Sequence, residues 1–299
     1  MTRISYLGPA GTFTEQALWA FGVPGAEPVA VDSPAAALSA VRAGEADYAV
    51  AAIESSVDGS VTSTSDALVE SPGVQIYGET ELDIAFAIMT RPGEGLDGPR
   101  RFASHPVAYQ QVKRWVGENV PGASFVPAAS NGAGARMVAE GEADVAAAPR
   151  RAAELFGLEV HADGVADLET ARTRFLLVGP PGTPTPRTGN DRTTIVFQLP
   201  NEPGTLVAVL QEFASRGVDM SRIESRPTRK VRNTYDFHVD LVGHIEDEPL
   251  AEALRAVYLR ASKIVFLGSW PRAHGEAAPT DLGRRAAANE WVRRAREGK

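Results

Sequence analysis

Apolar and polar positions change their period several times along the chain, and each change marks an element. Met1 to Gly8 reads as a short strand. Ser33 to Asp47 (SPAAALSAVRAGEAD) takes a helical pattern: Ser33 stands as N-cap, about ten helical residues follow, Gly44 ends them, and an apolar strand, Tyr48 to Ile53, starts after Asp47. Ser130 to Asp144 (SNGAGARMVAEGEAD) aligns with that segment without a gap, ends in the same Gly-Glu-Ala-Asp and leads into the strand Val145 to Ala148. Such a repeat predicts two similar α/β lobes, with chance similarity between two Ala-rich helices as the alternative. Two lobes whose strands point their carboxyl ends at each other form a clamshell that closes on a small ligand. Residues 80–90 alternate as one strand that crosses between the lobes, and the chain returns near Arg172 to Val178.

Residues 179–192 are rich in Pro, Gly and Thr and offer little to bury, which predicts a linker, placed at 181–192. Beyond it the elements read as a strand (Thr193 to Leu199), a helix (Gly204 to Arg216) ended by Gly217, two strands (Ser221 to Arg226 and Thr234 to Val242), a helix (Leu250 to Leu259) and a last strand (Lys263 to Leu267). That order is the ferredoxin-like βαββαβ arrangement. The expected organisation is a first domain over 1–180, with lobe one at about 1–80 and 171–180 and lobe two at about 81–170, then a second domain over 193–270. The tail, 271–299, carries one Arg-rich helix, roughly Asp281 to Arg296, expected to be solvated, with Leu282 and Trp291 as its docking residues if it packs.

A length of 299 residues exceeds what one core usually holds, in keeping with two domains. The net charge of -8 argues against a nucleic-acid partner, because phosphate binding needs clustered Lys and Arg. There is no cysteine, which excludes disulfides, thiolate metal sites and a Cys nucleophile. His105, His161, His238, His244 and His274 show no HExxH or paired spacing, so no metal is expected. The amino terminus lacks a basic and apolar leader, and no apolar run reaches the roughly 18 residues that span a bilayer. A cytoplasmic protein with no membrane partner is expected.

Three stretches have the residue types of a small-molecule site. Thr12 and Glu15 are spaced as a capping box that starts a helix ending before Gly22, and free N–H groups at such a start also bind a carboxylate. Glu54 to Ser56 lies just past the carboxyl end of a strand, and Ser130-Asn131 holds the equivalent place before the second repeat helix. Their convergence on one cleft is the expectation.

Tyr6-Leu7-Gly8-Pro9-Ala10-Gly11-Thr12-Phe13-Thr14-Glu15, then Ile53-Glu54-Ser55-Ser56 with Gly59, Val61, Thr64 and Asp66, resemble the two amino-terminal signatures of prephenate dehydratases. Ser104-His105-Pro106 with Gln111, Ser130-Asn131 and Thr173-Arg174-Phe175 follow in the family's order. Asn201-Glu202-Pro203-Gly204-Thr205-Leu206-Val207 and Glu224-Ser225-Arg226-Pro227 resemble the effector motifs of an ACT domain. The likeness runs from about residue 3 to Pro271. It implies a bilobed, periplasmic-binding-protein-like catalytic domain followed by a ferredoxin-like ACT domain. It also implies a cytoplasmic lyase of phenylalanine biosynthesis that converts prephenate to phenylpyruvate and is regulated by L-phenylalanine.

In that reaction loss of CO2 releases the electrons that expel the ring hydroxyl, so no cofactor is expected. The resemblance makes Thr173 the donor to the leaving hydroxyl, with a polarising neighbour because its hydroxyl is a weak acid, Arg174 a carboxylate anchor and Phe175 the packing behind it. It assigns substrate binding to Thr12, Thr14, Glu54, Ser55, Ser56, Thr64, Ser104, His105, Gln111, Ser130 and Asn131. His-Pro at 105–106 reads equally well as a structural turn. The effector residues are Asn201, Pro203, Gly204, Thr205, Leu206, Glu224, Ser225, Arg226 and Pro227, at an interface between two ACT domains, which requires a homodimer or homotetramer. The chain departs from the family in having Ser55 for Asn, Ala52 for Pro and Thr205 for Ala. Competing readings are a non-aromatising prephenate decarboxylase, an arogenate dehydratase and a non-catalytic amino-acid-sensing binding protein.

Overall fold

The two segments that match in sequence also match in three dimensions. The computed structural model describes residues 1–298 other than 99, 169, 229, 230 and 276–281, with the side chains of 282–286 also outside it. The first part of the chain forms β1 (Thr2–Leu7), α1 (Phe13–Ala20), β2 (Ala26–Val31), α2 (Pro34–Arg42), β3 (Tyr48–Ser55), β4 (Gly59–Ser60), α3 (Thr62–Glu70) and β5 (Gln75–Asp83). The second part forms β6 (Phe86–Thr90), β7 (Arg101–Ser104), α4 (Pro106–Asn119), β8 (Ser124–Pro127), α5 (Asn131–Ala139), β9 (Val145–Ala148), α6 (Arg150–Phe156) and β10 (Glu159–Val165), and β11 (Arg172–Gly179) then returns.

One sheet has the order β2-β1-β3-β11-β5, with β4 beside β3, and a second has the order β10-β6-β9-β7-β8. β11 therefore belongs to the first sheet although it follows the second in sequence, and it lies antiparallel between β3 and β5. Residues 80–90 are not one crossing strand. β5 ends at Asp83 in the first sheet and β6 begins at Phe86 in the second, so the chain changes lobe at Ile84-Ala85.

The repeat has a physical cause. Ser33 Oγ accepts from Ala36 N and Ser130 Oγ from Ala133 N, both at 3.0 Å, so each copy opens on the same N-cap. The closing Asp also does the same work twice: Asp47 Oδ2 accepts from Arg3 N and Asp144 Oδ2 from Arg101 N, each at 2.7 Å, which ties each repeat to the strand beside it. At the seam between lobes the backbones nearly touch. A Cβ on Gly132, at the start of α5, would lie 2.5 Å from Ala10 O, a distance no larger residue tolerates.

The carboxyl-terminal part forms β12 (Asp191–Gln198), α7 (Thr205–Ala214), β13 (Met220–Pro227), β14 (Tyr235–Val242), α8 (Glu248–Arg260) and β15 (Lys263–Pro271), with sheet order β13-β14-β12-β15. The expected βαββαβ order is present. One face of this sheet packs Ile195, Phe197, Val239 and Leu241 against Val209, Phe213, Leu250 and Val257 of the two helices. The other face packs on the first lobe, where Val196, Leu267 and Trp270 share a core with Ile53, Leu68, Ile76 and Leu176. The approach is close enough that a Cβ on Gly268 would lie 2.3 Å from Ile76 O. The tail forms α9 (Leu282–Arg296), and Trp291 is 70% exposed, so it does not dock; the other expected docking side chain, Leu282, lies outside those described. Among the described residues no helix is long and apolar enough to cross a membrane.

Candidate active site

A cleft of about 400 Å³ lies between the two sheets, and it gathers Thr12, Thr14, Ser55, His105, Gln111, Ser130, Asn131, Thr173 and Phe175 from segments up to 163 positions apart. Three helices begin at its wall. The N-cap of α1 is Thr12, that of α4 is His105 and that of α5 is Ser130. These caps occupy the N–H groups of Glu15, Val107 and Ala133, while the remaining first-turn N–H groups have no intrahelical partner. The cleft wall has few charged side chains, among them Arg172 and Asp58, so three helix starts are its main positive feature and suit a small dianion. The side-chain oxygens of Gln111 and Asn131 are buried there without a hydrogen-bond partner. His105 is both a turn and a lining residue, since its Nδ1 accepts from Val107 N at 3.4 Å.

The capping box at α1 forms with a shift. Thr12 Oγ1 accepts from Glu15 N at 3.4 Å, but Glu15 Oε2 reaches past Thr12 to Gly11 N at 2.5 Å. This holds the loop before α1 against the cleft. Tyr6, on β1 below, is pushed up to about 12 by burial and by Glu15, so it stays neutral. Loss of a Ser N-cap costs about 0.5–2 kcal/mol in either repeat. Ser33→Ala and Ser130→Ala should therefore destabilise the protein about equally in urea melts, while only Ser130→Ala raises KM, because only Ser130 borders the cleft.

Strand alternation divides the Thr173-Arg174-Phe175 run. Thr173 and Phe175 face the cleft; Arg174 points to the opposite side of the sheet and is 5% exposed. There its guanidinium donates to Asp240 Oδ2 at 2.6 Å, Glu54 Oε2 at 3.0 Å and Glu79 Oε2 at 3.2 Å. Burial opposes its charge, but Asp240, Glu79 and Glu54 raise its pKa and keep it protonated. Arg174 is thus committed to three carboxylates of its own chain and does not anchor a substrate carboxylate, and Phe175 does not pack behind it. Thr173 instead has Ser55 as its cross-strand partner. Ser55 Oγ accepts from Val57 N at 3.2 Å and Asp58 N at 3.1 Å, which fixes the hydroxyl and leaves its own proton for the cleft.

Four other residues expected to bind substrate are absent from the cleft wall. Glu54 is drawn to Arg174. Ser56 Oγ accepts from Arg172 N at 2.8 Å and donates to Thr170 O at 3.3 Å, which staples β3 to the return into β11. Ser104 Oγ donates to Ala147 O at 3.3 Å inside the second lobe, and Thr64 is fully buried within α3. The motif spacing did not reveal Phe13, Ile84 and Phe86, which give the cleft its apolar wall. Phe13 and Phe86 meet edge to face across the lobes at 5.4 Å. Phe13 sits between Thr12 and Thr14, but nothing in the pattern marks Phe86 as other than core.

A second cavity, about 210 Å³, opens at the start of α7 and is lined by Asn201, Gly204, Thr205 and Leu206 together with Asn233, Tyr235 and Phe237. Gly204 takes φ +84° there, and Thr205 Oγ1 donates to Pro200 O and Glu202 O, both at 3.0 Å, so the extra hydroxyl closes the turn. Pro203 is in the turn but off the wall. Glu224 and Arg226 are not brought to this cavity within one chain. They face the first lobe, where Arg226 donates to both oxygens of Asp66 at 2.6 and 2.8 Å, while Ser225 and Pro227 are exposed on the other face of β13.

A family model for prephenate dehydratase matches residues 4–183, and one for the ACT domain matches residues 193–257. The chain is 56% identical over 307 residues to a prephenate dehydratase of Corynebacterium glutamicum, covering 100% of this chain and 98% of that one. Its structure is similar to that of a prephenate dehydratase from Arthrobacter aurescens in complex with L-Phe, with a TM-score of 0.88, 39% identity and coverage of 99% and 100%. It is also similar to GqqA, described as a quorum quenching acylase, with a TM-score of 0.82, 32% identity and coverage of 90% and 98%. With the relative from C. glutamicum matched over 98% of its length and both family models in place, the chain belongs to the prephenate dehydratase family, as a lyase-type dehydratase carrying an ACT domain.

Proposed function

We propose that this chain converts prephenate to phenylpyruvate as a step of phenylalanine biosynthesis, under feedback by L-phenylalanine. The observation that carries the reading is the Thr173–Ser55 pair facing a cleft whose rim is three helix starts. The substrate's ring carboxylate leaves as CO2, its bonding pair enters the ring, and the opposite C–O bond breaks, the hydroxyl taking up one proton, supplied in net from solvent, and departing as water. Thr173 donates a hydrogen bond to the departing hydroxyl, with Ser55 polarising the same oxygen. The helix starts at Thr12, His105 and Ser130 hold the carboxylates, and Gln111 and Asn131 present amide groups. The ring loses charge as it becomes aromatic, which suits the Phe13, Ile84 and Phe86 wall. A backbone N–H bonds a carboxylate without the full charge of an Arg, so the group that must leave is held but not over-stabilised.

In this reading the catalytic domain spans about 1–180 and the regulatory domain about 193–270, and both lie in the cytoplasm. The cavity at Asn201 to Leu206, with Tyr235 and Phe237 as an aromatic wall, would take phenylalanine, completed by Ser225 to Pro227 of a second copy. Two exposed apolar patches fit self-association: Val207, Ile223 and Tyr235 near β13, and Tyr258 with Leu259 on α8. One edge makes a dimer, and both together make a tetramer.

Phenylpyruvate formation from prephenate, with and without phenylalanine, tests the reading. Turnover that phenylalanine suppresses is expected. Loss of CO2 without phenylpyruvate would favour the non-aromatising alternative, and preference for arogenate would change the substrate. Because a similar fold is described as an acylase, an acyl-homoserine lactone control is included. Cleavage of that compound with prephenate left intact would overturn the dehydratase reading.

A further inference from the structure

The buried charges behind the catalytic strand form a path that the reaction does not use. Asp240, on β14 of the regulatory domain, takes Arg174 on one oxygen at 2.6 Å and Thr194 Oγ1 on the other at 2.7 Å. Arg222 NH1 lies 4.0 Å from Asp240 Oδ1, and Arg222 NH2 donates to Glu224. Arg226 in turn donates to Glu224 Oε1 at 3.2 Å. Arg192 lies between Glu79 and Asp240, at 3.3 and 3.5 Å, and Trp270 Nε1 donates to Glu79 at 3.2 Å. The guanidinium groups of Arg174, Arg192 and Arg222 thus balance the carboxylates of Glu79, Asp240 and Glu224 in a region where those side chains are at most 16% exposed. At one end is the Glu224 to Pro227 motif; at the other is the residue between Thr173 and Phe175.

We infer that Arg174 is a positioning residue, and that the chain Glu224, Arg222, Asp240, Arg174 links effector binding on β13 to the placement of Thr173 and Phe175 on β11. This rests on the proposed regulation by phenylalanine. Buried ion pairs have sharp geometric optima because desolvated charges tolerate little separation, so a shift of Glu224 is passed along the path and does not dissipate in solvent. β11 is hydrogen-bonded on both sides, and a pull on Arg174 moves the strand with the two cleft-facing neighbours it carries. The state of β11 is then the element that both sites bias.

The test reads the link directly on the full-length protein. Phenylalanine affinity is measured by titration calorimetry with and without saturating phenylpyruvate as the cleft ligand, for the unmodified chain, Asp240→Asn and Arg222→Gln. In the unmodified chain phenylpyruvate should weaken phenylalanine binding about fivefold or more, the usual scale of coupling between sites. In both variants phenylalanine alone should bind within about threefold of the unmodified chain, with the coupling factor below about twofold. Asp240→Asn keeps the shape and the Thr194 bond; should it fail to fold, Arg222→Gln decides alone. A full coupling factor in a folded variant overturns the inference, and so does an unmodified chain that shows no coupling. Phenylpyruvate formation by the same preparation separates the failures, since turnover without coupling leaves the dehydratase reading standing and absence of turnover removes it.

Discussion

Thr173→Val is expected to lower kcat for phenylpyruvate formation by about 10²–10⁴-fold with KM changed only a few-fold, the pattern of a group that acts mainly in the transition state. The substitution removes one hydroxyl and keeps the β-branch, so β11 retains its strand preference and its pairing with Ser55 and Leu82. Steady-state rates beside a thermal melt separate chemistry from folding. A variant with unchanged melting and unchanged kcat would take the donor role away from Thr173. The effect is large because a departing hydroxyl carries developing negative charge, which Thr173 and its cross-strand partner Ser55 meet, while the amides of Gln111 and Asn131 are placed on the opposite lobe.

Arg174→Ala should destabilise the protein by about 3–5 kcal/mol, the cost of stranding buried carboxylates without their counter-charge. Glu79 and Asp240 are 0% and 3% exposed as side chains, and without Arg174 they are left to share Arg192, with Arg222 4.0 Å from Asp240. An exposed pair offers the contrast: Arg172 meets Asp83 with 56% and 73% of their side chains in solvent, and Arg172→Ala should cost less than about 1 kcal/mol.

The pH dependence has a definite sign. Burial opposes ionisation of Asp240, but Arg174, Arg222 and Arg192 overcome it and hold its pKa below the usual carboxylate value. Its contribution to stability is therefore complete above a pH of about 4 and is lost as pH falls through the depressed value. In Arg174→Ala Asp240 loses its main counter-charge and its pKa rises. The deficit should be largest near neutrality and should shrink on acidification as Asp240 takes up a proton. Urea melts of both proteins between neutral and mildly acidic pH check this. A deficit that does not vary with pH would show that lost packing, and not stranded charge, sets the cost; a raised KM with no loss of stability would return Arg174 to the role of substrate anchor.

Much of the fold can be read locally because local chemistry dictates it. Ser33 and Gly44 each do one short-range job, and the same residues at 130 and 141 do it again, whereas Asp47 and Asp144 reach back 44 and 43 positions to the strand beside each repeat. Within the candidate site the legible helix starts are Thr12 and Ser130, since a cap is recognisable from its neighbours and places the residue at the end of an element; His105 reads as a turn, and only the structure makes it the cap of α4. Residues whose role depends on which way a strand faces were less legible. Thr173-Arg174-Phe175 reads as one unit along the sequence, yet the pleat sends its middle member away from the other two. Glu54 and Ser55 separate in the same way, one toward Arg174 and the other toward the cleft. Ser104 and Thr64 carry hydroxyls that suit a substrate as well as a neighbouring carbonyl or core, and only burial decides between these.

By itself the sequence determined the α/β repeat, the change of period into a βαββαβ unit, the family and the helix starts at Thr12 and Ser130. Periodicity, caps and turns act over a few residues, so they survive reading in one dimension. The tertiary structure alone decided that β11 returns between β3 and β5, that the ACT-domain sheet lies directly on the first lobe, and that Arg174 belongs to Asp240 and Glu79 rather than to the cleft. The reason is physical: a buried charge takes whichever partners the packing brings within reach, and its partners here lie 66 and 95 positions away along the chain.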